Sequence, residues 1–380
     1  MKTKIQSLAA AVFIILVSLS CQKGIKPEPL AEEAQSKPPP PPPPTGETQT
    51  PIQIYGAWHA GNDFCIWGTE RTEQEFDSKN HWLIDRGDGR PSVNIVVLSF
   101  LHPLKLLNLT TDATTLNGVP RGMTPTMINY FKSRGIRVML SIGGITYTDF
   151  WNTALNTNPT QFGLNAAAVA QQLGVGIEID YEENTNPNLT GLQAFITAYR
   201  SQLPYDATGS NPAARLTIDL AAGDRWLIDI CRKATADWLT TANPVLDYAN
   251  AMVTARQPSV SSAIANWQEH VDGKPQYGPP IPPLAPAKFT GGLWLVGSRA
   301  IAECNNFNNS LQKSTSSFVQ SVLPHGAGTT PGMLGYMFWA AECQGTRAVC
   351  TTPPNSCENG IGVGATTFNI PIPMPALRQE

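Results

Sequence analysis

The sequence predicts a (β/α)8 TIM barrel that forms a single domain over residues 51–380. Eight short apolar segments in this region are rich in β-branched and aromatic residues, and helical or loop segments separate them. Nearly continuous apolar runs of this kind are typical of parallel strands that are covered on both faces. Eight such strands with intervening helices favour the barrel, although the pattern also allows a doubly wound sheet.

The predicted strands and helices alternate along the chain. The strands are expected at residues 52–59, 93–101, 136–142, 175–182, 215–221, 246–254, 290–297 and 333–341. Helices are expected at residues 125–134, 160–173, 190–203, 225–240 and 259–271, with a weaker pattern at 311–322. Thr124 and Pro125 are suited to the start of the first helix, and Gly135 to its end. Gly174 and Pro204 end the next two.

The N-terminus has the pattern of an export signal. Lys2 and Lys4 precede an apolar stretch at residues 8–19, which is too short to span a bilayer. The stretch ends in SLSCQKG and resembles the cleavage site of bacterial lipoproteins, although Ser18 stands where the usual pattern has Leu. Residues 1–20 are therefore predicted to be a signal peptide, and Cys21 to carry a lipid that anchors the protein at the bacterial surface. Ordinary secretion with a free Cys21 is the alternative.

Residues 21–50 are predicted to form a linker. Seven consecutive prolines within residues 37–50 favour a stiff polyproline II rod, which offers few side chains for packing. A spacer that holds the domain away from a membrane is the simplest interpretation. A ligand for proline-binding modules is the alternative.

Charge and cysteine content exclude some classes of function. Removal of residues 1–20 leaves 24 Lys and Arg against 29 Asp and Glu, a net charge of -5. Because nucleic-acid binding needs a basic surface, no such partner is expected. Apart from Cys21, six cysteines remain, and up to three disulfides are possible in an exported protein. A metal site is less favoured because no CxxC, HExxH or HxH spacing is present. We expect a monomer with no cofactor.

The segment GVGIEIDYEEN, residues 174–184, places three acids at alternate positions in an apolar run. In a strand, Glu178, Asp180 and Glu182 share one face. Like charges in one place cost free energy unless they share protons or hydrogen bonds. In a barrel, the C-terminal ends of the strands carry the functional residues, so the three acids predict an active site at the end of this strand. A polar layer satisfied within the barrel is the structural alternative.

Four separated segments resemble glycoside hydrolase family 18, the family of chitinases and endo-β-N-acetylglucosaminidases. SIGG at 141–144 resembles S-x-G-G of the family's third strand, and VGIEIDYE at 175–182 resembles D-G-x-D-x-D-x-E of the fourth. DYANAM at 247–252 resembles D-Y-x-N-x-M of the sixth, and GYMFWA at 335–340 resembles G-x-M-x-W-A of the eighth. The four follow one another in the family's order.

The resemblance implies a reaction in which the substrate's own acetamide group is the nucleophile. Glu182 would protonate the glycosidic oxygen and later activate water. Asp180 would hydrogen-bond the acetamide N–H, and the deeper Glu178 would share a proton with Asp180. Trp339 would form the floor of the sugar subsite.

Further substrate-binding positions follow from the same motifs. Ser141 would orient the inner acids, while Gly143 and Gly144 let the backbone pass close to them. Met252 and Thr254 belong to the motif of the sixth strand. Tyr55 and Phe100 either line the pocket or belong to ordinary barrel packing. Loop aromatics are additional candidates for sugar platforms: Trp67, Tyr147, Trp151 and Trp226.

This chain departs from the family pattern at four motif positions, one of which is Ala255, where the sixth-strand motif has Asp. Val175 replaces the first Asp of the fourth-strand motif, and Glu178 replaces its inner Asp. Thr254 stands where the family has a Tyr whose hydroxyl touches the acetamide. The expected function is a chitinase-like glycosidase that cleaves β-1,4 bonds in N-acetylglucosamine-containing glycans with retention. An endo-β-N-acetylglucosaminidase and a non-catalytic glycan-binding lipoprotein are the alternatives.

Overall fold

Eight parallel strands close into a barrel in the computed structural model. The structure describes residues 53–60, 67–85, 89, 91, 93–221, 223, 226–252, 260–294 and 332–341. The first strand pairs with both the second and the eighth, so the sheet has no free edge. This closure confirms the predicted (β/α)8 barrel and excludes the doubly wound sheet.

All eight predicted strands are present, with shifted ends. Their bounds are Ile54–Ala60, Ile95–Leu101, Arg137–Gly143, Gly176–Asp180, Leu216–Leu220, Ala249–Ala251, Phe289–Trp294 and Gly335–Ala341. The fourth strand ends at Asp180, so Glu182 lies two residues beyond it. For the sixth strand, predicted at 246–254, the described residues give Ala249–Ala251, and residues 253–254 lie outside the described part.

Helices cover the outside of the barrel. They span Glu73–Asn80, Pro103–Leu107, Pro125–Lys132, Thr148–Thr157, Pro159–Leu173, Leu189–Gln202, Ile228–Lys233 and Val260–Asp272. The helix predicted at 225–240 is interrupted, because Ile228–Lys233 continues as a π-helix, Ala234–Trp238. Three helices were not predicted: Glu73–Asn80, Pro103–Leu107 and Thr148–Thr157. A small hairpin, Thr115–Leu116 with Val119–Pro120, was not predicted either. The candidate helix at 311–322 lies outside the described residues.

The helix ends carry the signals that the sequence indicated. The Thr124 side chain accepts a hydrogen bond from the backbone N–H of Met127, with Pro125 next in the helix. Gly174 ends the helix Pro159–Leu173 in the left-handed conformation, at φ 63°, which glycine adopts without steric cost. The turn from Gly174 leads directly into the fourth strand.

Two apolar cores lie on opposite faces of the strands. The outer core fills the space between barrel and helices and contains most of the buried apolar side chains. The inner core is small and lies within the barrel: Ile54, Trp58, Ile95, Val97, Met139, Tyr248, Leu334 and Met337, with Trp339 against it. The remaining interior positions are polar, and they form the site described below.

The predicted N-terminal features and most cysteines lie outside the described residues. These include the signal peptide, Cys21, the proline-rich linker and all cysteines of the folded region except Cys231, which is buried. Their roles stay predictions. Among the helices that the structure describes, none has both the length and the apolar character needed to cross a membrane.

Candidate active site

Four carboxyl groups meet inside the barrel. Glu178 and Asp180 point inward from the fourth strand, and Glu182 follows at the rim. The fourth is Asp219 from the fifth strand, whose backbone pairs with the fourth strand and also with the sixth. Glu178 is 0% exposed, Asp219 2% and Asp180 4%, whereas Glu182 keeps part of its surface exposed. The group therefore runs from the buried interior to the open mouth.

Glu178 is held by side chains from other strands. The indole N–H of Trp58 donates to Oε1 of Glu178 at 2.7 Å, and Nδ2 of Asn250 donates to Oε2 at 2.7 Å. Thr290 in turn donates its hydroxyl to Oδ1 of Asn250 at 2.6 Å, which fixes the amide orientation. Ser141 is the partner of Glu178 in the register between the third and fourth strands. Thus the deepest acid is tied to the first, sixth and seventh strands.

Burial raises the pKa values of all four acids. Desolvation raises the pKa of Glu178 to about 7, against the lowering effect of the hydrogen bond from Trp58. The pKa of Asp219 lies well above its ordinary value because of burial and the charges of Glu178 and Asp180. Because negative charges on neighbouring buried carboxyl groups repel one another, the four acids titrate as a set, and some of them are protonated at neutral pH.

Asp180 and Glu182 form the outer pair. Burial, followed by the charge of Glu182, raises the pKa of Asp180 well above its ordinary value. The surrounding protein removes most of the water from Glu182, although part of it remains exposed, and this desolvation raises its pKa to about 7. Hydrogen bonds from the Ile145 backbone and from Asp180 lower the pKa of Glu182. A carboxyl group that titrates near neutral pH can both donate and accept a proton.

Gly143 and Gly144 bring the end of the third strand against the fourth. Both have positive φ, 120° and 85°. A Cβ on Gly143 would lie 2.0 Å from the backbone oxygen of Asp180 and 2.2 Å from Nε1 of Trp151. The N–H of Gly144 donates to the same oxygen of Asp180 at 3.0 Å. The close approach predicted for these glycines is therefore to the backbone that carries Asp180.

Three aromatic rings adjoin the acids. Phe100 stacks on Trp339, with ring centroids 5.7 Å apart and planes 28° apart. Trp339 also packs beside Trp58, the indole that donates to Glu178, at 6.1 Å. Phe100 and Trp339 both keep part of their surface exposed, whereas Trp58 is buried. The structure thus brings the predicted Phe100 and Trp339 together, and Trp58 links them to Glu178.

Other sequence-predicted positions lie elsewhere. The expectation that Tyr55 lines the pocket is wrong, because its ring is fully buried in the outer core against Tyr336 and Phe338. Because side chains alternate between the two faces of a strand, Trp58 rather than Tyr55 points into the barrel. Met252 is partly buried and packs against the outer core. Thr254 lies outside the described residues.

The loop aromatics divide into two groups. Trp67 and Trp151 are 0% exposed, so the structure contradicts a role for them as sugar platforms. Their indole N–H groups donate to the backbone oxygens of His59 and Ile142. Tyr147 and Trp226 keep part of their surface exposed.

Sequence reasoning missed four members of the site: Trp58, Asp219, Asn250 and Thr290. Asp219 carried a usable signal, because LTIDL has a lone acid in an apolar strand, as the fourth strand does. Asn250 lies within the DYANAM segment but was not assigned a role. Trp58 and Thr290 stand in strands whose pattern does not mark the inner face.

No group of three or more His, Cys, Asp or Glu in the described part of the chain has the arrangement of a metal site. The acids form two hydrogen-bonded pairs, Asp180 with Glu182 and Glu178 with Asp219, and this arrangement suits the storage and transfer of protons.

The chain is similar to solved chitinase structures at low identity. A GH18 chitinase from Pseudoalteromonas aurantia is 13% identical, with a TM-score of 0.49 over 77% of this chain and 94% of that chain. A chitinase from Rhizomucor miehei is 12% identical, with a TM-score of 0.46 over 81% and 98%. A group IV chitinase from Ostrinia furnacalis, solved with allosamidin, is 12% identical, with a TM-score of 0.43 over 83% and 99%. No protein-family model and no curated protein sequence matches the chain.

Proposed function

We propose that this chain is a family 18-like glycoside hydrolase that cleaves β-1,4 bonds in N-acetylglucosamine-containing glycans by substrate-assisted catalysis. The observation that carries the proposal is the group of inward-facing acids that ends at the partly exposed Glu182, joined to the Phe100–Trp339 pair through Trp58, which donates to Glu178 and packs beside Trp339. A pyranose ring presents an apolar face to an aromatic ring, and its acetamide and glycosidic oxygen then face the acids.

In the first step, Glu182 acts as a general acid. Its proton passes to the glycosidic oxygen while the bond between that oxygen and C1 breaks. The carbonyl oxygen of the substrate's acetamide forms a bond to C1 in its place, and the result is an oxazolinium ion. Asp180 accepts a hydrogen bond from the acetamide nitrogen and thereby favours the positive charge on that group.

In the second step, the Glu182 carboxylate acts as a general base. It takes a proton from water while the water oxygen bonds to C1 and the bond from C1 to the acetamide oxygen breaks. Two displacements at C1 restore the original configuration. Glu182 regains its proton, so the site is ready for another cycle. Its pKa of about 7 suits a group that serves as acid and base in turn.

Export to the bacterial surface is part of the proposal. The apolar stretch before Cys21 and the following proline-rich segment support a lipid-anchored protein whose barrel is held away from the membrane. A Cys21→Ser variant should be lost from the membrane fraction, and it should no longer be labelled by a radioactive fatty acid. If labelling is unchanged, the anchor is elsewhere.

The test is to incubate the protein with chitin oligosaccharides and, separately, with a high-mannose glycoprotein, and to analyse the products by mass spectrometry. We expect cleavage of the chitin oligosaccharides with retained anomeric configuration. Cleavage of the glycoprotein alone would favour an endo-β-N-acetylglucosaminidase. Binding with no cleavage of either would favour a glycan-binding protein, an outcome that Thr254 in place of the family's Tyr makes worth measuring.

A further inference from the structure

The proposed reaction uses Asp180 and Glu182, with Glu178 behind them, but assigns no role to Asp219. This fourth acid is 98% buried, on a strand with no motif residue, and its exposed fraction is only 2%. A buried carboxyl group is costly unless it is neutral or well supplied with donors. The hydrogen-bond donors around Asp219 and Glu178 therefore decide which of the two is charged.

Glu178 has the better supply of donors. Each of its carboxyl oxygens accepts a 2.7 Å hydrogen bond, from Trp58 and from Asn250. An indole nitrogen donates only, and the orientation of the Asn250 amide is fixed because its oxygen accepts from Thr290. Both donors therefore point at Glu178 in every protonation state, and they stabilise its anion.

Asp219 has the poorer supply. Its Oδ1 is buried and has no hydrogen-bond partner within the described part of the chain. Among the residues that the structure describes, the neutral side-chain donor that acts on it is Asn250, whose amide it shares with Glu178. The charged groups that face it are acids, Glu178 and Asp180 from the fourth strand, so neither favours ionisation.

We propose that Asp219 is a positioning residue that stays protonated and donates its O–H to Glu178, so that the Glu178 anion, the form present above neutral pH, has three donors. The proposal on proton location stands on the contacts alone, whereas its role in turnover rests on the proposed function. Its consequence concerns Asp180. Since the Glu178 anion already has three donors, the proton of Asp180 is directed to the rim, toward Glu182, and an oxygen of Asp180 is left to accept from the acetamide N–H of the substrate.

The location of the proton can be measured without activity. Infrared spectra at about pH 8 would compare the bands of protonated carboxyl groups in the unsubstituted protein and in Asp219→Asn. We expect one such band to disappear in the variant. The control is Asp206→Asn, because Asp206 is partly exposed and its pKa is lowered to about 2, so its substitution should leave the bands unchanged. Identical bands in Asp219→Asn and the unsubstituted protein would overturn the proposal.

A second measurement needs no substitution. With carbon-13 in the aspartate carboxyl groups, NMR at about pH 8 should show two protonated aspartates, Asp219 and Asp180. Titration of the Asp219 signal, assigned through its connection to the backbone, at low pH would show that Asp219 is charged and would refute the proposal. This result is readable even if a variant fails to fold.

The kinetic arm tests the positioning role. Asn at 219 still donates an N–H to Glu178, so we expect kcat within about threefold of the unsubstituted value and an unchanged pH profile. Asp219→Leu has no donor, and kcat should fall about tenfold or more, with KM nearly constant. A pH profile displaced to lower pH in Asp219→Asn would mean that a negative charge was removed, against the proposal. Absence of turnover in the unsubstituted protein and in every variant would refute the proposed function alone, since the spectra still locate the proton.

Discussion

Trp58 and Glu178, 120 residues apart in the chain, share a 2.7 Å hydrogen bond inside the barrel. This bond links the first strand to the fourth across the interior. It also joins the acids to the aromatic rings, because Trp58 packs beside Trp339. The donor is neutral and buried, so the bond stabilises the Glu178 anion without a competing charge.

Removal of that donor should destabilise the fold. In Trp58→Phe, one oxygen of a fully buried carboxyl group loses its partner, and we expect the free energy of unfolding to fall by about 1–3 kcal/mol beyond the loss from the smaller ring. Urea denaturation would measure it. Trp339→Phe is the matched control, because it makes the same ring change on a neighbouring strand. Equal losses in the two variants would show that the hydrogen bond contributes nothing.

The raised pKa values predict how stability depends on pH. Glu178 has a pKa of about 7 in the folded state and an ordinary value of 4.5. Between these values the folded protein binds the extra proton, so the free energy of unfolding falls as pH rises toward 7 and above. Buried His59 acts in the opposite direction, but only between about 4 and 6.5.

Denaturation at a series of pH values above 6.5 therefore isolates the acids. We expect stability to decrease from about pH 6.5 to 8, and to decrease less steeply in Glu178→Gln, which cannot ionise. A stability that rises with pH over this range, or an equal slope in the variant, would mean that Glu178 is ionised at no cost in the folded protein.

The same chemistry predicts the pH dependence of turnover. The free enzyme needs a protonated Glu182, whose pKa is about 7, so kcat/KM should fall about tenfold per pH unit on the alkaline side. A profile measured on a chitin oligosaccharide would check it. A profile that stays level to well above neutral pH would exclude Glu182 as the acid.

Gly143 should tolerate no side chain. Its Cβ would lie 2.0 Å from the backbone oxygen of Asp180, and its φ of 120° is unfavourable for other residues. We expect Gly143→Ala to lower the free energy of unfolding by about 3 kcal/mol or more. Gly89→Ala is the control, since Gly89 also has positive φ but has nothing within 4 Å of an added Cβ. Similar losses in both would show that only backbone strain matters.

The sequence predicted the barrel well because its strands are buried on both faces. Such strands are continuous apolar runs, and all eight were located. The same property hides which face is inward. In IYGAWHA, both faces carry an aromatic ring, so Tyr55 and Trp58 were equally suited to the interior. In the closed barrel, Trp58 lies on the inner face and Tyr55 on the outer face.

Strand length was harder to predict because it depends on partners. Within the apolar segment at 246–254, the strand is limited to Ala249–Ala251, although Asp247, Tyr248 and Met252 also hydrogen-bond to the fifth strand. The helix Thr148–Thr157 was missed although its buried residues Trp151, Ala154 and Leu155 have helical spacing. Asp219 was missed because the acidic pattern was sought within one strand, whereas the site combines acids from two.

The central claim is that Glu182 is the acid and base of a glycosidase. The most direct measurement compares Glu182→Gln and Glu183→Gln for hydrolysis of a chitin oligosaccharide. Glu183 is the adjacent carboxylate, but it accepts hydrogen bonds from Asn152 and from the loop backbone and does not join the buried acids. We predict that Glu182→Gln lowers kcat by about 10²–10⁴-fold with sugar binding retained, while Glu183→Gln stays active. Full activity in Glu182→Gln would contradict the account.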